Sequence, residues 1–373
     1  MRVLRPPTGC CLRGLRLLAN QFSVAQFAIL HAGKPRRLTR RSRSKSSYPF
    51  ITAALLGAFS ALAPGQNPAG APSGTTPANP AWAYPVTPAG FQPPPDDGVP
   101  RRLAGSDASF TLTQLRDLYT AQDWYPGDHP LMPEIVAHGR KPDVLACAMC
   151  HLPNGQGRPE NASLAGLPAA YIVQQMADFK AGLRKCSEPG MLPQNLMMTV
   201  GRNTTVNEAK AAALYFTRLK YRPWIRVVEA DTVPKTEVIT GSMLAAREGA
   251  GSEPIGQRII ETAEALPRTE LRDPRSGFVA YVPVGSIKKG GALVNTGGGR
   301  TVQCTNCHGD DLKGLMDIPG LAGRSPSYVV RQLLDMQNGA RAGVGVQPTK
   351  EVVAQLTLDD IIAIAAYTAS LTP

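Results

Sequence analysis

The sequence predicts an all-α fold made of two tandem copies of one small helical unit, joined by an irregular insertion. Three observations carry that prediction. The pentapeptide Cys147-Ala148-Met149-Cys150-His151 returns as Cys304-Thr305-Asn306-Cys307-His308. Counted from the two histidines, the same residues then recur at the same offsets: Leu164-Ala165-Gly166 and Leu321-Ala322-Gly323, Tyr171 and Tyr328, Gln175 and Gln332, Asp178 and Asp335, Gly182 and Gly339, Arg184 and Arg341. A gap-free repeat of this kind marks one structural unit duplicated. Finally, both copies place apolar residues at helical spacing behind helix-start signals, and strand-like runs fall almost entirely in the insertion.

C-x-x-C-H is the attachment sequence for c-type haem. Its two thiols add across the haem vinyl groups and its histidine falls on the iron as the proximal ligand. A cysteine pair alone also suits half a zinc site or a redox dithiol. Zinc pairs lie close together in sequence, whereas these lie 157 residues apart, and a dithiol has no need of a histidine after its second cysteine. The pattern therefore assigns two covalently attached haem c groups, held by Cys147, Cys150 and His151 and by Cys304, Cys307 and His308.

From its start the chain reads as a targeting region over 1–63. A basic stretch, Arg36 to Lys45, precedes an apolar run from Pro49 to Leu62 and a small-residue cleavage candidate at Ala61-Leu62-Ala63. This implies export to the periplasm, with an N-terminal membrane tether if the segment stays uncleaved. The formal charge of +12 belongs to this region: 1–63 holds 11 of the 40 Lys and Arg and no Asp or Glu, so 29 basic residues face 28 acidic ones in the remainder. A nucleic-acid partner is thereby excluded. Residues 64–108, rich in Pro, Gly and Ala, read as a linker with little to bury.

The first haem domain is expected over 109–222. Thr113 to Tyr119 and Met132 to Gly139 read as short helices ahead of the haem loop. Behind it Pro168 opens a helix whose Ile172, Met176 and Phe179 share a face, and Thr205 with Glu208 forms a capping box that starts the last helix. Residues 223–285 are the insertion, with short β-branched or aromatic runs at Ile225 to Val228, Val238 to Thr240 and Phe278 to Val282; it is expected to wrap both units and set their orientation. The second domain, 286–373, begins with a helix at Ser286. It then repeats the pattern, with Ser325 as N-cap, Pro326 at the first helical position, and Thr357 with Asp360 starting the final helix. Of the seven cysteines, Cys10 and Cys11 lie in the targeting region and Cys186 remains as a free or buried thiol, so no disulfide framework is expected.

The two C-x-x-C-H sequences, the Leu-Ala-Gly segments with Tyr, Gln and Gly behind them, and the C-terminal Ala365-Ala366-Tyr367 resemble the class I cytochrome c superfamily. More closely, they resemble its two-haem members of the cytochrome c4 type, over roughly 130–222 and 286–373. The resemblance implies a methionine as sixth iron ligand shortly before the last helix. In the first unit Met197 stands at the matching distance, with Met198 beside it and Met191 nearby. It also implies that a carbonyl just before the Leu-Ala-Gly segment holds the histidine: Pro319 fits in the second unit and Ala162 takes the place in the first. The second unit departs from the pattern, since Thr349 stands where Met197 does and no Met or His follows Met336. That haem is then five-coordinate, or takes the amine of Lys350, or Met316 or Met336 from elsewhere.

The function implied is that of a periplasmic electron carrier between a dehydrogenase or quinol-oxidising complex and a terminal oxidase. No acid-base or nucleophile constellation accompanies the haem motifs, which favours a carrier over an enzyme. Two alternatives remain: a cytochrome subunit of a dehydrogenase complex, and small-ligand or peroxide chemistry at an open second haem.

Overall fold

The computed structural model describes residues 79–373; the targeting region 1–63 and the linker through residue 78 lie outside the described residues. Local chemistry accounts for the helices of the first unit. Thr111 and Gln114 form a capping box on α1 (Leu112–Leu115). Pro133 precedes α2 (Glu134–Ala137), and Gly139 at φ 65° turns the chain away. Both helices are therefore shorter than their apolar patterns predict. Next come α3 (Cys147–His151), α4 (Ala169–Lys180) and α5 (Leu192–Asn203). Thr205 and Glu208 make the expected capping box on α6 (Val206–Thr217). Ile172, Val200, Ala213, Tyr215 and Phe216 form the core with Ile135 and Val136 of α2. Where α5 crosses α4, a side chain at Gly201 would collide with Phe179, so the crossing requires a residue without a Cβ.

The insertion is β-rich. Its strands are β1 (Ile225–Glu229), β2 (Thr232–Pro234), β3 (Thr236–Ile239), β4 (Met243–Ala246), β5 (Ser252–Pro254) and β6 (Ile260–Ala263). A short helix α7 (Leu266–Glu270) then leads to β7 (Phe278–Val282). The β-branched runs read from the sequence supply β1, β3 and β7. β7 is central in a three-stranded sheet, parallel to β1 with Ile225 opposite Phe278, and antiparallel to β6 with Ile260 opposite Tyr281. β3 pairs with β4, and β2 with β5, both antiparallel.

This layer touches both units. Ile259, Val282 and Val227 pack into the core of the second unit. On the other side Arg272 Nη1 donates to Met149 O (2.6 Å), Arg272 Nε to Leu115 O (3.2 Å) and Trp124 Nε1 to Leu271 O (2.8 Å).

The second unit contains α8 (Ser286–Thr296), α9 (Thr305–His308), α10 (Pro326–Gln337), α11 (Thr349–Ala354) and α12 (Leu358–Ser370). Ser325 Oγ caps α10 and Thr357 with Asp360 caps α12, as the sequence predicts. α8 and α12 cross at Gly290, where a Cβ would strike the carbonyl of Ala363.

The repeated residues have structural reasons. Each Leu-Ala-Gly ends in a left-handed glycine, Gly166 at φ 69° and Gly323 at φ 70°. Its N–H donates to the last helix of its own unit, at Phe216 O (3.1 Å) and Thr368 O (2.9 Å). The repeated Tyr, Gln and Arg residues meet across the junction between the units. Arg184 donates to Gln175 of its own unit (2.9 Å) and to Tyr328 (2.9 Å) and Gln332 (3.1 Å) of the other. Arg341 does the converse, to Gln332 (3.1 Å), Tyr171 (3.0 Å) and Gln175 (2.9 Å). The two arginines also face each other in an antiparallel bridge.

One expectation is corrected. The linker is more than a spacer over its described part: Ala83 and Tyr84 are buried in the second unit's core, and Leu103 joins a small core with Leu115, Trp124 and Tyr125. Tyr84 Oη donates to Asp335 Oδ1 (2.9 Å), and Asn79 Nδ2 to Ser187 O (2.9 Å). Averaging composition over the whole segment dilutes the two aromatic anchors, Trp82 and Tyr84, that dock it.

Candidate haem sites

Each C-x-x-C-H folds as about one helical turn, α3 in the first unit and α9 with Cys304 as its N-cap in the second. One turn sets residues i and i+3 on one face, which brings each cysteine pair to the same side of its histidine. The five cysteines among the described residues are free thiols. Burial pushes Cys147 up to about 12, with Cys150 adding to the effect, and Cys304 up to about 11. Both are therefore held as the thiols that addition to a vinyl group consumes.

The histidines are oriented alike. His151 Nδ1 lies 2.8 Å from Ala162 O, and His308 Nδ1 lies 2.7 Å from Pro319 O. A carbonyl only accepts, so Nδ1 carries the proton and Nε2 is left as a free lone pair, the form in which imidazole binds iron. Burial pushes both histidines below their ordinary pKa, and the Arg184 guanidinium acts in the same direction on His151. Both rings are neutral at physiological pH. Free thiols on one helical face and a tautomer-locked imidazole beside them fit a covalently attached haem in each unit.

The sixth-ligand candidates separate by environment. Met197, on α5, is half-buried against the first unit's core, and Met198 beside it is also half-buried. Met191 is fully enclosed within the second unit's core, where it packs. In the second unit Thr349 opens α11 and Lys350 is exposed. Met336 packs on α10 against the core. Met316 is 89% exposed on the loop that leads to Pro319, the residue holding His308. His129, which matches no ligand position in the sequence, is engaged by Asp123 Oδ1 at 3.1 Å.

The sequence gives no sign of how differently the two haem loops are covered. Arg272, in the insertion, binds the carbonyl of Met149 inside the first motif; Cys307 of the second motif is exposed. Arg272 lies some 120 residues from α3 in the chain, and no local pattern connects them.

No family model matches the chain. It is 26% identical over 229 residues to a cytochrome c4 of Azotobacter vinelandii, covering 60% of this chain and 83% of that protein. Against a cytochrome c4 of Stutzerimonas stutzeri it is 27% identical over 235 residues, with the same shares. A shorter match, 39% over 41 residues (11% of this chain, 37% of the other), is to the cytochrome subunit of sulfide dehydrogenase of Chlorobaculum tepidum. Two solved structures are similar. A thiosulfate dehydrogenase from Marichromatium purpuratum has a TM-score of 0.41 and 25% identity, over 63% of this chain and 38% of that one. A cytochrome c4 from Acidithiobacillus ferrooxidans has a TM-score of 0.39 and 21% identity, over 60% and 98%. The chain is thus similar to cytochromes c4, and its cofactors are two covalently attached haem c groups.

Proposed function

We propose that this chain is an exported two-haem electron carrier, passing electrons from a dehydrogenase or quinol-oxidising complex to a terminal oxidase. The observation that carries the reading is the duplicated Cys-Cys-His geometry, with each imidazole fixed by one backbone carbonyl. Cys147 and Cys150, and Cys304 and Cys307, anchor the two groups; His151 and His308 are the proximal ligands; Met197 is the distal ligand in the first unit. The iron supplies the redox chemistry, and the protein supplies ligands, a dry crevice and orientation. Among the described residues no helix is long and apolar enough to cross a membrane; the apolar run at 49–62 lies outside them.

The test is a reductive titration of the exported protein with haem counting, followed by mixing with membranes that contain a terminal oxidase. Two haems per chain, two electrons taken up and oxidase-dependent reoxidation support the carrier. A single haem, or turnover of thiosulfate or sulfide by the chain alone, overturns it. A role as cytochrome subunit of a dehydrogenase is the second reading, favoured by the match to the sulfide dehydrogenase subunit; copurification with a large flavin- or haem-containing partner would establish it. The second unit's lack of a methionine at Thr349 also supports a haem open to small ligands.

A further inference from the structure

The repeat breaks at one buried position of the junction. Leu167 follows the first Leu-Ala-Gly and Arg324 follows the second. Both side chains are buried, Leu167 6% exposed and Arg324 8%, so the first copy shows that the fold of one unit asks only for an apolar residue there. A guanidinium in that place carries a desolvation cost. Among the described residues no carboxylate offsets it by an ion pair. The guanidinium lies instead over the ring of Tyr221, 3.9 Å from its centroid. Tyr221 is fixed in turn, its Oη donating to Gly323 O (2.7 Å) and accepting from Trp224 Nε1 (2.7 Å).

The partners of Arg324 account for its presence. Its Nη1 donates to Ser163 O (2.9 Å) and its Nη2 to Ala165 O (3.3 Å), both in the first unit, while its Nε donates to Gly320 O (3.3 Å) in its own. Ser163 and Gly320 are the same position of the repeat, each 12 residues beyond its haem histidine. Each directly follows the residue whose carbonyl accepts from that histidine's Nδ1, Ala162 at 2.8 Å and Pro319 at 2.7 Å. One planar group therefore holds equivalent carbonyls in both copies, one residue away from both histidine anchors. Contacts run without a break from His151 through Ala162 and Ser163 to Arg324, and on through Gly320 and Pro319 to His308. The donors leave the guanidinium in fixed directions within one plane, a fork that a lysine ammonium does not reproduce.

We propose that Arg324 is a positioning residue for both proximal histidines, a single clamp that sets the orientation of the two imidazoles together and raises both reduction potentials. The proposal rests on the reading of His151 and His308 as iron ligands. The carbonyl that receives Nδ1–H fixes the plane and the donor strength of a ligating imidazole, so holding the adjacent carbonyl holds the ring. Charge acts alongside geometry. Ferric iron carries one more positive charge than ferrous, so a buried cation near both anchors favours the reduced form in both units. The first unit has no donor of its own at this place, since Leu167 is apolar, and borrows that of the second.

The experiment compares the full-length holoprotein with Arg324→Leu, the residue that the first copy carries, and with Arg324→Lys. Two readouts are taken: the potential of each haem, by spectrally followed redox titration, and the haem-methyl shifts in the NMR spectrum of the ferric protein, which report the plane of each histidine. Arg324→Leu should lower both potentials and displace the methyl shifts of both haems. Arg324→Lys should hold the potentials near the wild type, because the charge is kept, and still displace the shifts of at least one haem. Changes confined to the second haem, or potentials and shifts that stay put in Arg324→Leu, overturn the proposal. Should Arg324→Leu fail to fold, Arg324→Lys decides: displaced shifts support the clamp, and unchanged shifts at both haems overturn it. A wild-type protein with fewer than two haems would instead overturn the reading of the histidines, and the proposal with it.

Discussion

The loops that follow the two haem motifs, 152–162 and 309–319, do the same backbone work with opposite surroundings. Each ends in the carbonyl that holds its histidine. Yet at matched offsets Arg158, Pro159 and Glu160 are buried in the first loop, whereas Leu315, Met316 and Asp317 in the second are exposed, Leu315 by 50% and Met316 by 89%. The charged pair is inside and the apolar pair outside, the reverse of the usual partition. The difference comes from the neighbours: the insertion, the docked linker and α10 close over the first loop only. In these loops the haem attachment site dictates the backbone, and the asymmetric additions dictate the side chains.

The sharpest way to test that asymmetry is at the iron. We expect carbon monoxide to shift about half of the haem absorbance in the reduced protein, the second haem responding because Thr349 offers no methionine. Met197→Ala should make all of the haem respond, and Thr349→Met almost none. A wild-type protein with no response would show that a replacement such as Lys350 closes the second site.

Matched-position exchanges probe the covering. Arg158→Leu leaves Glu160 as a buried carboxylate without its cation, which should cost about 3–5 kcal/mol. Leu315→Arg, at the equivalent position in the second loop, should stay within about 0.5 kcal/mol. Denaturant unfolding of the two holoproteins measures both; comparable losses would mean that the loops are equally covered in solution. The junction should behave in the opposite way, symmetrically. Arg184→Ala and Arg341→Ala each delete three charge-assisted hydrogen bonds, to the same two glutamines and to one tyrosine apiece, and each should cost about 2–3 kcal/mol. Because they share Gln175 and Gln332, the double variant should lose less than the sum.

Symmetry also decides what could be read without a structure. Cys147, Cys150, His151 and their second copies are adjacent in sequence, so their chemistry is local and legible. Tyr171, Gln175 and Arg184 were visible as repeats, but a repeat does not say that each residue binds the opposite copy. The caps at Thr205, Ser325 and Thr357 follow from side-chain to backbone hydrogen bonding within one turn. What was hidden depends on contacts distant in the chain: Tyr84 with Asp335, Arg272 with Met149, and Glu261 with Ser327. None has a period or spacing to detect, and the docked linker was masked by the Pro and Ala around it.

The smallest expected effect compares the last helices. In the first unit Glu208, the capping-box acid of α6, is held at about 2 by the Arg140 hydrogen bond, with burial opposing and Thr205 assisting. In the second, burial would raise Asp360 of α12, but hydrogen bonds from Lys289 and Thr357 outweigh it and the carboxyl lies below its ordinary value. A depressed carboxylate stabilises the fold at neutral pH. For Glu208 that contribution is complete above its unfolded value of 4.5 and is lost as pH falls through about 2; for Asp360 it is likewise lost on acidification. Arg140→Met and Lys289→Met should therefore each flatten the acid limb of stability, the partly exposed Arg140 pair by the smaller amount. The Asp360 carboxylate is 1% exposed and Glu208 19%, so raising the salt to about 1 M should erase most of the Arg140 effect and less of the Lys289 effect. Equal screening of the two would mean that Asp360 is as hydrated as Glu208, and that the final helices, unlike the haem loops, stand in equivalent surroundings.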